Sequence, residues 1–214
     1  MNPRMLPIFA AVLLCLSGIL PVDAGATGLG FYIGAGSGDA QTKRDLVVGG
    51  QSRDDEKVNH VGFGFALDTN LLKDQKLFNY RMNLGYERMK LKTDGFAPVN
   101  YETDVRGFSI EQDFGFGARL GEQVRLWGGP CLRLSHHRGD DQFNNEYRFW
   151  GIGVGPVMGI NIGTGGPAIL SVRGGYLVNG YGGNRRLATG GDYDLTASED
   201  YFFLTFSTLF KTGE

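Results

Sequence analysis

From Phe31 onward the chain alternates, one residue at a time, between large apolar and small or polar side chains. This period of two recurs almost to the end of the sequence. Phe31, Ile33 and Ala35 alternate with Gly30, Tyr32, Gly34 and Gly36, and Val61, Phe63, Phe65 and Leu67 with Gly62, Gly64 and Ala66. Tyr80, Met82, Leu84 and Tyr86 form a third run and Phe108, Ile110, Phe114 and Phe116 a fourth. Four more follow, on Leu126, Leu132 and Leu134, on Trp150, Ile152, Val154, Met158 and Ile160, on Leu170, Val172, Tyr176 and Val178, and on Phe202, Leu204, Phe206 and Phe210. Successive side chains of a strand point to opposite faces, so each run predicts a strand with one oily face and one small or polar face. Eight strands result.

Phe149 to Val172 carries no charge, but seven glycines and two prolines interrupt it, which rules out a helix interior. It reads as a hairpin turning over Asn161 to Pro167. The 35 glycines in 214 residues show no three-residue period, and a net charge of −2 offers nucleic-acid phosphates no basic field. No nucleic-acid partner is expected.

Residues 1–24 read as a secretory signal peptide. Arg4 precedes the uncharged run Leu6 to Leu20, which is short for a membrane span, and small residues permit cleavage after Ala24 or Ala26. The exported chain then keeps Cys131 as its single cysteine, so no internal disulfide holds it.

The strands begin near residues 29, 60, 78, 106, 124, 148, 168 and 200, so long and short connections alternate. In an up-and-down antiparallel barrel that spacing places three tight turns at one end and four long loops at the other, the asymmetry of outer-membrane barrels. The long segments are also the charged ones: Asp39 to Lys57, Lys92 to Asp104, His136 to Glu146 and Asn179 to Glu199. The fold class expected is therefore all-β, a closed up-and-down antiparallel transmembrane β-barrel over residues 28–210, with a short polar tail at 211–214. A sheet crosses lipid only when closed, with its apolar face outward. A soluble periplasmic barrel with a ligand cavity is the rival, but it would put the glycine rows on its exterior.

The final strand, Tyr201-Phe-Phe-Leu-Thr-Phe-Ser-Thr-Leu-Phe210, resembles the C-terminal strand of the small eight-stranded outer-membrane barrels, the OmpA transmembrane domain, OmpX and opacity-protein family. The resemblance covers essentially the whole mature chain and rests on pattern. It implies that Phe202, Leu204, Phe206 and Phe210 form the signal read by the barrel-assembly machinery. Lys211 to Glu214 follow the aromatic that usually ends such chains.

Arg81, Arg125, Arg133, Arg173, Glu87, Glu111 and Asp113 fall on the small or polar face, in a lumen wide enough only for side chains. Near-neutral stoichiometry predicts a lumenal ion-pair network that plugs the barrel, because unpaired buried charge costs several kcal/mol. A narrow pore is the alternative. Ser135, His136, His137, Asp140 and Asp141 supply hydrolase residue types, as a lipid-modifying enzyme would need, but neighbours on a strand point opposite ways. With three histidines in all, neither a metal site nor a cofactor is expected. Arg138-Gly139-Asp140 is an adhesion-type tripeptide on an expected loop. The expectation is a monomeric, non-enzymatic barrel with a structural or surface-interaction role. Its partners would be outer-membrane lipids, lipopolysaccharide and, during biogenesis, the assembly machinery.

Overall fold

The computed structural model describes residues 27–45, 51–72, 77–93 and 101–212, so the expected signal peptide lies outside the described residues. Eight strands follow one another: β1 (Thr27–Asp45), β2 (Gln51–Asp68), β3 (Phe78–Thr93), β4 (Tyr101–Leu120), β5 (Val124–Asp141), β6 (Glu146–Gly163), β7 (Ala168–Arg186) and β8 (Asp192–Thr212). Each pairs antiparallel with the next, and β8 pairs with β1 to close the ring. The alternation thus forms the up-and-down barrel it predicted.

Register fixes the tilt. Following paired residues around the wall from Ile33, through Phe63, Tyr86, Phe108, His136, Trp150, Gly182 and Thr196, returns to β1 at Lys43, ten residues further along. A stagger of this size inclines the strands by about 40° to the axis.

The outward face carries a collar of bare apolar side chains. Phe31, Ile33, Phe63, Phe65, Phe108, Phe116, Val154, Met158, Phe202 and Phe206 are each more than half exposed. The collar occupies the part of the wall nearer the termini. Beyond it the outward positions turn polar, with Asp39, Lys57, Arg88, Arg106, Arg138, Arg148 and Asp200.

Here the structure corrects the sequence reading. Strand runs well into the four charged segments expected to be long loops: Asp39 pairs with Lys57, Lys92 with Glu102, Asp140 with Glu146 and Asn179 with Glu199, while residues 46–50 and 94–100 lie outside the described residues. The strands run 16 to 21 residues. At roughly 3.3 Å per residue and this tilt, the wall stands about 45 Å tall, well over the roughly 25 Å of an apolar band. Above the collar both faces are polar in part, so charge density imitates a loop while the ladder continues. Arg138-Gly139-Asp140 accordingly lies in β5.

Candidate functional site

Parity sends one face of every strand inward, and a lumen of eight strands has room only for those side chains. At the termini end the β2–β3 connection turns Leu71 into the mouth, where it is fully buried against Tyr32, Ala66, Ile169 and Leu209. Asp68 holds this stopper, accepting hydrogen bonds from the Asn70 amide at 2.9 Å and Asn161 Nδ2 at 3.3 Å. Arg81, also fully buried, donates to the hydroxyls of Ser171 at 2.6 Å and Ser207 at 2.5 Å and lies 3.9 Å from Asp68.

A continuous chain of charges runs on from there. Arg173 donates to Asp113 Oδ1 and to Glu111 Oε2, both at 2.7 Å. Glu111 also accepts from Arg133 at 2.5 Å, and Arg133 reaches on to Glu87. Glu87 Oε1 lies 2.7 Å from His137 Nε2, and Glu87 Oε2 3.8 Å from His60 Nδ1. Glu199 completes the series, 2.7 Å from His60 Nε2, with Tyr181 Oη donating to it at 2.6 Å and Asn179 Nδ2 at 2.9 Å. Aromatic faces cover the cations, Phe203 at 4.5 Å from Arg173 and Tyr201 at 5.3 Å from Arg133. Beyond the charges, Val58, Met89, Val105, Tyr147, Phe149 and Leu195 fill the far half with apolar side chains. The cavity left there is about 20 Å³, room for a single water.

Of the seven lumenal residues named from the sequence, six lie in this charged column. Arg125 does not. It sits near the termini rim, donating to the carbonyls of Leu77 at 3.2 Å and Gly117 at 3.4 Å. Sequence reasoning missed His60, Asp68 and Glu199, and considered His137 only as a weak catalytic candidate. The catalytic candidates are split by the wall: Ser135 and His137 are buried in the lumen, whereas His136 packs on Trp150 outside, rings 4.3 Å apart, and Asp140 is exposed. Asp141 is buried inside as well, where it accepts hydrogen bonds from Asn145 Nδ2 and Tyr147 Oη, and His137 is engaged by Glu87. Among the described residues no group of three or more His, Cys, Asp or Glu is arranged to hold a metal ion. Phe202, Leu204, Phe206 and Phe210 face outward on β8.

The outward rim is the second polar feature. Arg88 pairs in register with Arg106, Arg106 with Arg138, and Arg138 with Arg148, so four arginines lie side by side across β3 to β6. Asp104 ion-pairs with Arg88 and lies 3.9 Å from Arg106, while Glu146 contacts Arg138 at 2.8 Å and Arg148 at 2.7 Å. Hydrogen bonds from Arg88 and Arg148 hold the Asp104 and Glu146 carboxyls below the usual carboxylate range. The sign follows: these rim pairs are complete at neutral pH and are lost as pH falls through the lowered carboxyl values.

The sequence matches no protein-family model and no curated protein. Among solved structures, the outer membrane protein OprG from Pseudomonas aeruginosa overlays with a TM-score of 0.70 at 10% identity, covering 89% of this chain and 97% of that one. Neisserial surface protein A (TM-score 0.31, 16% identity, 82% and 95% covered) and the outer membrane protease OmpT from Escherichia coli (TM-score 0.38, 10% identity, 89% and 98% covered) overlay far less closely. It is the OprG overlay that shows the fold: the chain shares the architecture of that barrel, all-β, closed, and eight strands around.

Proposed function

We propose that the chain is an integral outer-membrane protein, monomeric and non-enzymatic, whose barrel is plugged by its own side chains. It acts structurally or through its surface, by way of the wall that projects beyond the apolar collar. The observation that carries this reading is the lumen itself. Arg81, Arg133 and Arg173 are at most 1% exposed and are held by Ser171, Ser207, Glu87, Glu111 and Asp113, while aromatic and aliphatic side chains close both ends. Bare phenylalanines around the collar suit a lipid surround, since a water-facing collar of that size would drive aggregation. The outward row of β8, Phe202, Leu204, Phe206 and Phe210, serves in this reading as the assembly signal. The projecting wall is, in this reading, part of the surface through which a partner would be met.

Three measurements test it. In planar bilayers the refolded protein is expected to give no stepwise conductance, and an open channel in the wild type overturns the plug. Unboiled protein from outer-membrane fractions is expected to migrate differently from boiled protein on a denaturing gel, and recovery in the soluble periplasm would overturn membrane residence. Lipid A from cells with and without the protein is expected to have the same mass; a new acylation state that vanishes in Ser135→Ala or His136→Ala would restore the enzymatic reading.

A further inference from the structure

Resting on the reading above as an outer-membrane barrel, the geometry points to a binding site for a phosphorylated lipid of the surrounding leaflet on the outward faces of β3 to β6. The four-arginine row takes the lipid's phosphates.

Like charges directly opposite one another on neighbouring strands destabilise a sheet, and here three such pairs stand in succession: Arg88 with Arg106, Arg106 with Arg138, Arg138 with Arg148. Their side chains are 47%, 60%, 62% and 52% exposed, so none is buried for packing. Four guanidiniums share two carboxylates, Asp104 and Glu146, which leaves a surplus of two positive charges. Adding the next tier, Lys90 and Lys92 against Glu102 and Asp140, leaves the surplus unchanged. Two guanidiniums flank each carboxylate, Arg88 and Arg148 through Nε and Nη2, Arg106 and Arg138 through Nε. Planar forks of that kind suit phosphate oxygens better than ammonium groups do.

The tiers beneath the arginines fit the rest of an amphiphile. One step toward the membrane lies an aromatic row, Tyr86, Phe108, His136 and Trp150, again in direct register. Tyr86 and Phe108 stack edge to face at 5.3 Å. Below them comes an aliphatic row, Leu84, Ile110, Leu134 and Ile152. Charge, amphipathic ring and hydrocarbon therefore succeed one another in the order of phosphate, interface and acyl chain. The patch is one-sided. Across the barrel the corresponding rim on β8 and β1 sets Asp200 directly against Asp39, both exposed, which would repel an anion. A lipid bearing two phosphates matches both the surplus of two and a row four strands wide, about 14 Å at the usual strand spacing.

The test uses the full mature chain refolded into phosphatidylcholine vesicles containing either bisphosphorylated lipid A or the same lipid with its phosphates removed. Native mass spectrometry of the extracted protein then reads the lipid retained. The wild type is expected to retain the bisphosphorylated form about tenfold over the dephosphorylated one, and the Arg106→Gln/Arg138→Gln variant to lose that preference, two charge-assisted contacts having gone. Asp39→Asn/Asp200→Asn, on the opposite rim, is expected to retain the wild-type ratio. Equal retention of both lipids by the wild type, or an unchanged ratio in the double arginine variant, overturns the site. Displacement of the bound lipid by millimolar inorganic phosphate would likewise overturn it, reducing the row to a free-anion site. The heat-modified gel shift of each sample shows that the barrel has inserted. Failure to insert into either kind of vesicle would overturn the membrane reading itself, whereas insertion without discrimination overturns the lipid site alone.

Discussion

Replacing Arg173 by methionine is expected to lower the free energy of unfolding by about 3–5 kcal/mol, the usual cost of breaking a buried ion pair from one side. The guanidinium contacts Asp113 and Glu111 at 2.7 Å each and is shielded from water by Phe203. Methionine fills much of the volume but leaves a carboxylate at Asp113, with no exposure, facing a thioether. Part of the loss is then expected to return in Arg173→Met/Asp113→Asn, where the stranded charge is removed as well. The exposed Arg88→Met serves as the control: its pair with Asp104 lies at the open rim, and the change is expected to cost far less than Arg173→Met. Urea unfolding in phospholipid vesicles, followed by fluorescence of Trp127 and Trp150, measures all three variants. Equal costs for Arg173→Met and Arg88→Met would mean that the lumen is wet and its charges solvated, which would also weaken the plug.

The contrast between these two arginines shows what was legible in the sequence. A strand alternates strictly, so once a run is identified the inside and outside of every residue in it follow. Parity therefore groups Arg81, Arg133, Arg173, Glu87, Glu111 and Asp113 on one face from the sequence alone. The same rule reaches His60, at the start of the second run, and Glu199, whose charged surroundings imitate a loop. In that segment Leu195, Ala197, Glu199 and Tyr201 keep the inward period without a break. Above the apolar collar the outward face is polar again, so hydropathy loses its contrast while periodicity survives. Lys57 beside Val58 and Arg148 beside Phe149 preserve it. Leu71 was beyond such reasoning, because a connection that folds back into the mouth has no period to betray it. Arg125 obeyed parity yet left the column, since register, which sets height along the axis, cannot be read from alternation alone. The arginine row escaped for that same reason: its four members lie in four different strands and only pairing brings them abreast.

Gly159→Val is expected to destabilise the barrel by about 2 kcal/mol through overpacking, and Trp127→Ala by about 3–5 kcal/mol through the cavity it leaves. Combined, they are expected to cost less than the sum of the two. Gly159 and Trp127 are registered partners on β6 and β5, and a Cβ at Gly159 would stand 2.5 Å from the indole ring. The indole is 4% exposed, donates to Asn161 at 3.4 Å and lies 5.9 Å below the Arg81 guanidinium, so it has nowhere to retreat. In the double variant the valine side chain enters space vacated by the indole. A coupling energy of about 1 kcal/mol or more, measured by the same urea titrations, is what direct contact predicts. Strict additivity would mean that the glycine faces open space. The glycine rows that set this composition apart would then need an origin other than making room for large lumenal side chains. With coupling, the abundance of glycine and the burial of arginine become one property: an eight-stranded wall can enclose four guanidiniums, and the aromatic rings packed against them, only where the facing positions give up their side chains.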